Sequence, residues 1–352
     1  MLASKGLVER KRFGRGLHAE RYVKAKTRNN VCRSVRMNEH PASRLGRPAV
    51  TVVIPTFNRA AIVGRAIRSV LAQTCQDWEL IVVDDYSTDG TEQAVGSFSD
   101  RRIEYVRHDR NRGGGAARNT GIRRARGDYV AFLDSDDEWL PEKLEKDLEV
   151  FRKSDHELGF VYTGKMILEE SGKLLRVRMP TLCGWVYEAM LEVNFVGSCS
   201  RVTAKKQVLD RVAGFDEMLP NGQDYDLWLR VARVSKIGCV PHCLVKRYVL
   251  AERMSVHLRG ICEGWERILM KYRGDMKSRT LTKHLSRVAI LLFNYDRRRG
   301  RALAWEALRL QPLQPGLFAA LALSTLGIDY YRWVFGRVIK LIDKDYLGRA
   351  KI

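Results

Sequence analysis

Residues 49–133 alternate short β-branched apolar runs with stretches of helical spacing, a pattern that few folds accept. Ala49–Pro55 (AVTVVIP) and Trp78–Asp84 (WELIVVD) are continuous apolar runs of strand length, as expected of strands buried on both faces. Arg102–Val106 and Tyr129–Leu133 (YVAFL) read as two more strands. Between them, Ala60–Gln73 places Ile62, Val63, Ala66, Ile67, Val70 and Leu71 at helical intervals. Thr88–Phe98 and Gly115–Arg126 also read as helices, and Pro141–Arg152 as a helix with proline in its first turn. This alternation predicts an α/β fold with a mostly parallel central sheet flanked by helices on both faces.

After residue 158 the rhythm changes. Gly159–Thr163 reads as a strand, and Met166–Leu168 with Lys173–Val177 as a hairpin joined by Glu169–Gly172. Gln223–Ser235 is a predicted helix, followed by extended segments Ile237–Val240 and Leu244–Val249. Residues 164–200 carry no readable pattern beyond the hairpin. From 258 onward the chain reads as helical, and Gly316–Ile328 is an apolar stretch leading to Tyr330, Tyr331, Trp333 and a basic amphipathic run to Lys344. That stretch is too short to span a bilayer, which needs about 20 apolar residues, and suits a buried or interfacial helix. The expected division is a basic, poorly ordered arm over 1–47, a catalytic α/β domain over 48–257 and a basic helical region over 258–352.

Charge sharpens this division. The formal net charge is +21, yet residues 1–47 hold 13 lysines and arginines against 3 acids and residues 246–352 hold 22 against 9, while the 48–245 segment holds 27 against 29. A basic groove for nucleic acid would concentrate charge in the main domain, so nucleic acid is not the expected partner. Basic flanks beside an amphipathic helix suit an anionic membrane surface instead. The seven cysteines are scattered; Cys239 and Cys243 with His242 lack the further ligands of a zinc site and read as reduced thiols. No apolar secretory segment opens the chain. The expected location is the cytoplasm, peripheral on the inner face of the membrane.

In an open α/β sheet, ligands bind beyond the carboxyl ends of the strands. Four such ends are polar here: Pro55-Thr56-Phe57-Asn58-Arg59, Asp84-Asp85-Tyr86-Ser87, Asn111-Arg112-Gly113-Gly114-Gly115 and Asp134-Ser135-Asp136-Asp137. Asp134 and Asp136, two residues apart on an extended turn, can address one hard cation such as Mg²⁺ or Mn²⁺. The competing reading is capping of the helix near Pro141, which accounts for one acid and not for three. Asp85 either caps the next helix or accepts hydrogen bonds from a nucleobase. The glycine run is either a flexible turn or a close approach to a diphosphate at a helix N-terminus. Neither a GxGxxG after the first strand nor a GxxxxGK[ST] is present. Asp224 and Asp226 open a helix, where acids are favourable anyway, and a general base for a hydroxyl would also be a carboxylate at this rim.

Together VVIPTFNR (52–59), ELIVVDDYSTDGT (79–91), NRGGGAARNTG (111–121), GDYVAFLDSDDEWLP (127–141) and GFDE…GQDYDLWLR (214–230) resemble a family-2 glycosyltransferase of the GT-A fold, over roughly residues 49 to 250. The resemblance implies a metal-dependent, inverting transfer of sugar from a nucleotide-diphosphate donor to a hydroxyl of a saccharide or lipid-linked saccharide. It implies that Pro55, Thr56, Asn58 and Asp85 line the nucleoside pocket with Arg118 nearby, that Asp134 and Asp136 form the DxD metal site, and that Asp224 is the base. Two departures stand out. The usual glutamate before the base is Gln223, and the place where many relatives carry a metal-proximal histidine is Leu250, with His257 further on. A nucleotidyltransferase is disfavoured because Thr56–Ala60 is not a glycine-rich basic loop. A non-catalytic relative is disfavoured by the retained Asp134, Asp136 and Asp224.

Overall fold

A computed structural model describes residues 47–249 and 258–325 of the chain. Most of the N-terminal arm, Leu250, His257 and the Tyr330–Lys344 run lie outside the described residues, and so do the expectations attached to them. The elements in chain order are β1 (Val50–Thr56), α1 (Val63–Leu71), β2 (Trp78–Asp84), α2 (Thr91–Gly96), β3 (Ile103–Arg107), α3 (Gly114–Arg124), β4 (Tyr129–Phe132), β5 (Asp137–Trp139), α4 (Lys143–Lys153), β6 (Leu158–Glu169) and β7 (Leu174–Arg178). They continue with α5 (Tyr187–Glu192), β8 (Val202–Lys205), α6 (Lys206–Arg211), α7 (Gln223–Val234), β9 (Lys236–Val249), α8 (Leu258–Tyr272), α9 (Ser278–Leu292), α10 (Arg297–Leu310) and α11 (Pro315–Leu323).

The strands form one sheet in the order β3-β2-β1-β4-β8-β6-β9-β5, with β7 attached to β6. Its first half, β3-β2-β1-β4, is parallel throughout, as the strand–helix alternation requires. Beyond β4, β8 runs antiparallel to both β4 and β6, β9 is parallel to β6, and β5 is antiparallel to β9. β5 follows β4 after a short link, yet it occupies the far edge of the sheet. Four strand spacings amount to about 19 Å, more than the roughly 17 Å that five extended residues reach. The sheet therefore curls back over its own rim, and Asp134–Asp136 lie in the fold of that curl.

Val50, Val52, Ile54, Leu80 and Val82 face one apolar layer with α1, while Val53, Val130, Phe132 and Phe160 face another with α7. Each fully buried side chain of this kind contributes about 1.5–3 kcal/mol. The two extended segments at 237–249 are one strand, β9, whose register with β6 shifts between Thr163 and Lys165. Pro241, which has no N–H to give a ladder, sits in that irregularity, and Thr163 Oγ1 donates to His242 O at 2.5 Å across it. Residues 164–200, in which the sequence showed only the hairpin, supply that hairpin as the outer part of β6 with β7, then α5 and a 3₁₀ turn, Cys199–Arg201, that leads into β8. The C-terminal helices share a core with α7: Ile268, Leu269, Tyr272, Leu285, Leu292 and Phe293 pack in the same cluster as Leu227 and Val231.

Candidate active site

The ends of β1 and β2 are stitched to each other. Asn58, at φ 52°, gives its N–H to Ser87 Oγ at 2.8 Å and accepts from Thr88 N at 2.8 Å. Asp84 accepts from Ser87 N at 2.8 Å, Ser87 Oγ at 2.6 Å and the Tyr105 hydroxyl at 2.5 Å. Pro55 lies half-buried beside Thr56, whose buried Oγ1 has no hydrogen-bond partner. An orphaned hydroxyl at a strand end is what a ligand donor or acceptor would satisfy.

Asp85 is placed differently from the simple expectation of a carboxylate facing a base. It is 3% exposed, and its oxygens accept from Arg112 N at 2.8 Å, Gly113 N at 2.6 Å and His108 Nδ1 at 2.8 Å. His108 Nε2 in turn meets Thr120 Oγ1 at 3.0 Å. Asp85 thus fastens the glycine run to the end of β2. The run itself has two separate causes. Gly113, at φ 88°, makes the turn that opens α3, and Gly115 leaves room for the end of the Gln223 side chain.

Arg118 reaches the acid turn. Its Nη2 lies 2.6 Å from Asp134 Oδ1 and its Nη1 donates to Gly114 O at 3.1 Å, while its buried Nε has no partner. Asp134, Asp136 and Asp137 each bring a carboxylate oxygen within 4.8 Å of the others. Helix capping does not explain them, because β5 intervenes and α4 has Glu142 at its N-cap with no side-chain cap bond. Burial, and after it the Asp134 charge, raises the Asp136 carboxyl above its ordinary range. Burial, then Asp134 and Asp136, pushes Asp137 up to about 7. Clustered carboxylates in a poorly solvated rim favour either a proton or a hard cation, and the all-oxygen donor set fits the latter.

Asp137 was visible only as the last acid of its motif, and its partner Ser200 gave no signal at all. Ser200 Oγ donates to Asp137 Oδ2 at 2.6 Å and accepts from Asp134 N at 3.1 Å, tying the start of β8 to the acid turn. Trp139 Nε1 holds Ser200 O at 2.8 Å.

The two acids of α7 separate. Gly222, at φ 76°, starts the helix; Asp224 follows, half-buried, accepting from Tyr225 N at 2.7 Å. Burial raises the Asp224 carboxyl, as does Asp134, while Arg118 and Lys165 pull the other way. Asp226 is fully buried against Arg230, Lys271 and the Tyr272 hydroxyl, at 2.7, 2.7 and 2.8 Å. The Asp134 charge thus reaches one acid, while the other braces α8.

The Glycosyl transferase family 2 model matches residues 51–190. The putative teichuronic acid biosynthesis glycosyltransferase TuaG of Bacillus subtilis is 34% identical over 192 residues, covering 53% of this chain and 73% of that protein. The chain belongs to glycosyltransferase family 2. The UDP-Glc:α-D-GlcNAc-diphosphoundecaprenol β-1,3-glucosyltransferase WfgD of Escherichia coli is a further relative, 32% identical over 194 residues, 54% of this chain and 72% of that one. The match to an uncharacterized glycosyltransferase of Rickettsia felis spans only 35% of that longer protein. Among solved structures, S. aureus TarS 1–349 in complex with UDP-GlcNAc superposes with a TM-score of 0.58 at 18% identity, over 83% of this chain and 91% of that one. That likeness shows the GT-A fold, in which this family-2 chain sets its acids at the curled rim.

Proposed function

We propose that this chain is a metal-dependent, inverting glycosyltransferase that moves a sugar from a nucleotide-diphosphate donor to a hydroxyl of a saccharide or lipid-linked saccharide in cell-envelope glycan assembly. The observation that carries the reading is the convergence of Asp134, Asp136 and Asp137 on one point, with Asp224 under the influence of the same group. The relatives support the substrate class: WfgD is named for a UDP-glucose donor and a diphosphoundecaprenol-linked acceptor, and TuaG for teichuronic acid biosynthesis.

In this reading Pro55, Thr56 and Asn58 line the nucleoside pocket, with the unpaired Thr56 hydroxyl available to the donor. Asp85 acts by holding the Arg112–Gly113 backbone that closes the pocket. Asp134 and Asp136 would hold a divalent cation, Mn²⁺ or Mg²⁺, which offsets charge on the leaving nucleoside diphosphate. Arg118, already paired with Asp134, adds a fixed positive charge beside that phosphate. Asp224 takes the proton of the acceptor hydroxyl at its carboxylate, and the raised proton affinity that burial gives it suits a base. The acceptor oxygen bonds to the anomeric carbon as the bond to the phosphate oxygen breaks on the opposite face, so the configuration inverts.

Among the described residues no helix is long and apolar enough to cross a membrane. A peripheral seat is supported by α10, where Arg298, Ala302, Trp305 and Arg309 lie exposed on one face, with Leu313 and Phe318 exposed just beyond. The test of function is a donor panel scored for nucleoside diphosphate release, with and without Mn²⁺ or Mg²⁺, then repeated with lipid-linked acceptors. A chain that binds donor yet releases no nucleoside diphosphate with any acceptor would refute the reading.

A further inference from the structure

Two buried cations stand beside the acid rim without a carboxylate in contact, though the Asp137 charge reaches Lys165. Lys165, on β6, is 5% exposed and its Nζ has Ser198 Oγ at 3.2 Å. Arg201, which closes the 3₁₀ turn before β8, is 2% exposed. Its Nε donates to Thr163 O and its Nη1 to the Phe195 and Val196 carbonyls, but Nη2 is buried with no hydrogen-bond partner. Neither forms an ion pair among the described residues. Both face Gly197: a Cβ there would lie 3.6 Å from Lys165 Nζ and 3.8 Å from Arg201 Nη1. Gly197 is held at φ 73°, and its carbonyl accepts from Trp228 Nε1 of α7 at 3.2 Å.

The register fixes where this pair lies. Ala131 of β4 pairs with Thr203 of β8, and Thr203 with Val161 of β6, so β4 and β6 run the same way and these three residues are level. Asp134 and Lys165 both follow that level by a few residues and share one rim. They stand two strands apart, about 10 Å at the usual spacing. Along the rim come the proposed nucleoside end at β2 and β1, the acids at β4, Arg201 at the entry to β8, and Lys165 at β6. Asp224 feels both Asp134 and Lys165.

We propose that Lys165 and Arg201, on either side of Gly197, form a subsite for a phosphate group carried by the acceptor. The proposal rests on the transfer reading above. A donor diphosphate held at the acids after β4 would leave these two cations, further along the rim, for a different anion. An unpaired guanidinium N–H in a buried place is costly, and a phosphate oxygen satisfies it in the fork geometry that arginine favours. Burial, with Arg247 and Arg201 next, lowers the Lys165 ammonium to about 7, so an anion beside it also restores its charge. The class of acceptor that fits carries a phosphate close to the attacking hydroxyl, as the first sugar on a lipid phosphate does.

The test uses the full chain saturated with Mn²⁺ and either UDP or GDP, titrated calorimetrically with hexyl phosphate. The wild type should bind hexyl phosphate while the nucleotide stays bound. Lys165→Met should weaken hexyl phosphate about tenfold or more, the scale of one charge-assisted contact, and leave nucleotide affinity within about twofold. Arg201→Lys, which keeps the charge and loses the fork, should weaken it by a smaller factor. If the Arg201 variant does not fold, Lys165→Met decides alone. Unchanged hexyl phosphate affinity in Lys165→Met would make the pair structural, and competition between hexyl phosphate and the nucleotide would assign the phosphate to the donor; either result overturns the proposal. Should the wild type bind neither nucleotide, the transfer reading itself fails. If nucleotide binds and hexyl phosphate does not, only the subsite fails.

Discussion

The end of the Gln223 side chain rests on Gly115, so that a Cβ at position 115 would lie 2.8 Å from Gln223 Cδ. Gln223 also gives its Nε2 to Leu219 O at 2.7 Å. The residue before the proposed base thus packs on the helix that carries Arg118. Gly115→Ala should force the amide aside and cost about 1 kcal/mol, the value of one hydrogen bond. In a Gln223→Ala background the same change should cost little. A double-mutant cycle on thermal or urea stability measures the coupling, and strict additivity would deny the contact any energetic role.

Asp136→Ala and Asp224→Asn should each lower transfer by about a thousandfold or more while the fold persists. Asp224→Asn should keep donor affinity, because the carboxylate acts on the acceptor hydroxyl. Turnover near wild type in either variant, with circular dichroism confirming a folded chain, would remove that residue from the mechanism.

Asp137 carries a pH signature. Its carboxyl is raised from an ordinary 3.8 to about 7, by burial first and then by Asp134 and Asp136. A carboxyl raised in the fold favours the folded chain while protonated. That contribution is whole below about pH 4 and drains away as pH climbs towards 7. With metal chelated, the melting temperature should therefore fall from about pH 5 to about pH 7.5, and Asp137→Asn should flatten the slope. Mn²⁺ should raise the melting temperature more at the upper pH than at the lower, where protons compete for the same oxygens. An equal Mn²⁺ shift at both would speak against the acids as its ligands.

On α10 and α11, Trp305 is 54% and Phe318 47% exposed. Vesicles containing phosphatidylglycerol should bind the full chain, and Trp305→Ala with Phe318→Ala should weaken that binding about tenfold, since both rings insert only if this face is the one that docks. Cosedimentation gives the readout. Equal binding of the double variant would move the contact elsewhere.

The first half of the sheet was legible because β1, β2 and β4 are buried almost throughout and cannot be mistaken for anything polar, while the part-buried edge strand β3 follows from the alternation. The acid turn was legible because like charges two residues apart after such a strand need a reason. What stayed hidden depends on contacts between distant segments. The 3₁₀ turn before β8 is short and carries Ser200 only as an ordinary serine, yet Ser200 joins Asp134 to Asp137. Arg118 read as a neighbour of the nucleoside pocket, because nothing local says that a side chain on α3 crosses to β4. The glycine run was ambiguous because its members do different work: one turns the chain and another admits a side chain from over a hundred residues away.

Asp226 ties α7 to Lys271 and Tyr272, and Leu227 and Val231 lie in one apolar mass with α8 and α9. The helices that the sequence sets apart as a basic tail therefore brace the helix that carries Asp224. A fragment that stops where the family match ends, at residue 190, would lack α7, β8 and β9. One that stops at 257 would leave a buried aspartate facing water with two of its three side-chain partners gone. Evolution cannot trade this tail for another as it might exchange a tether: whatever replaces α8 must bring its own cation and hydroxyl to the same carboxylate, or the helix that carries the proposed base loses its footing.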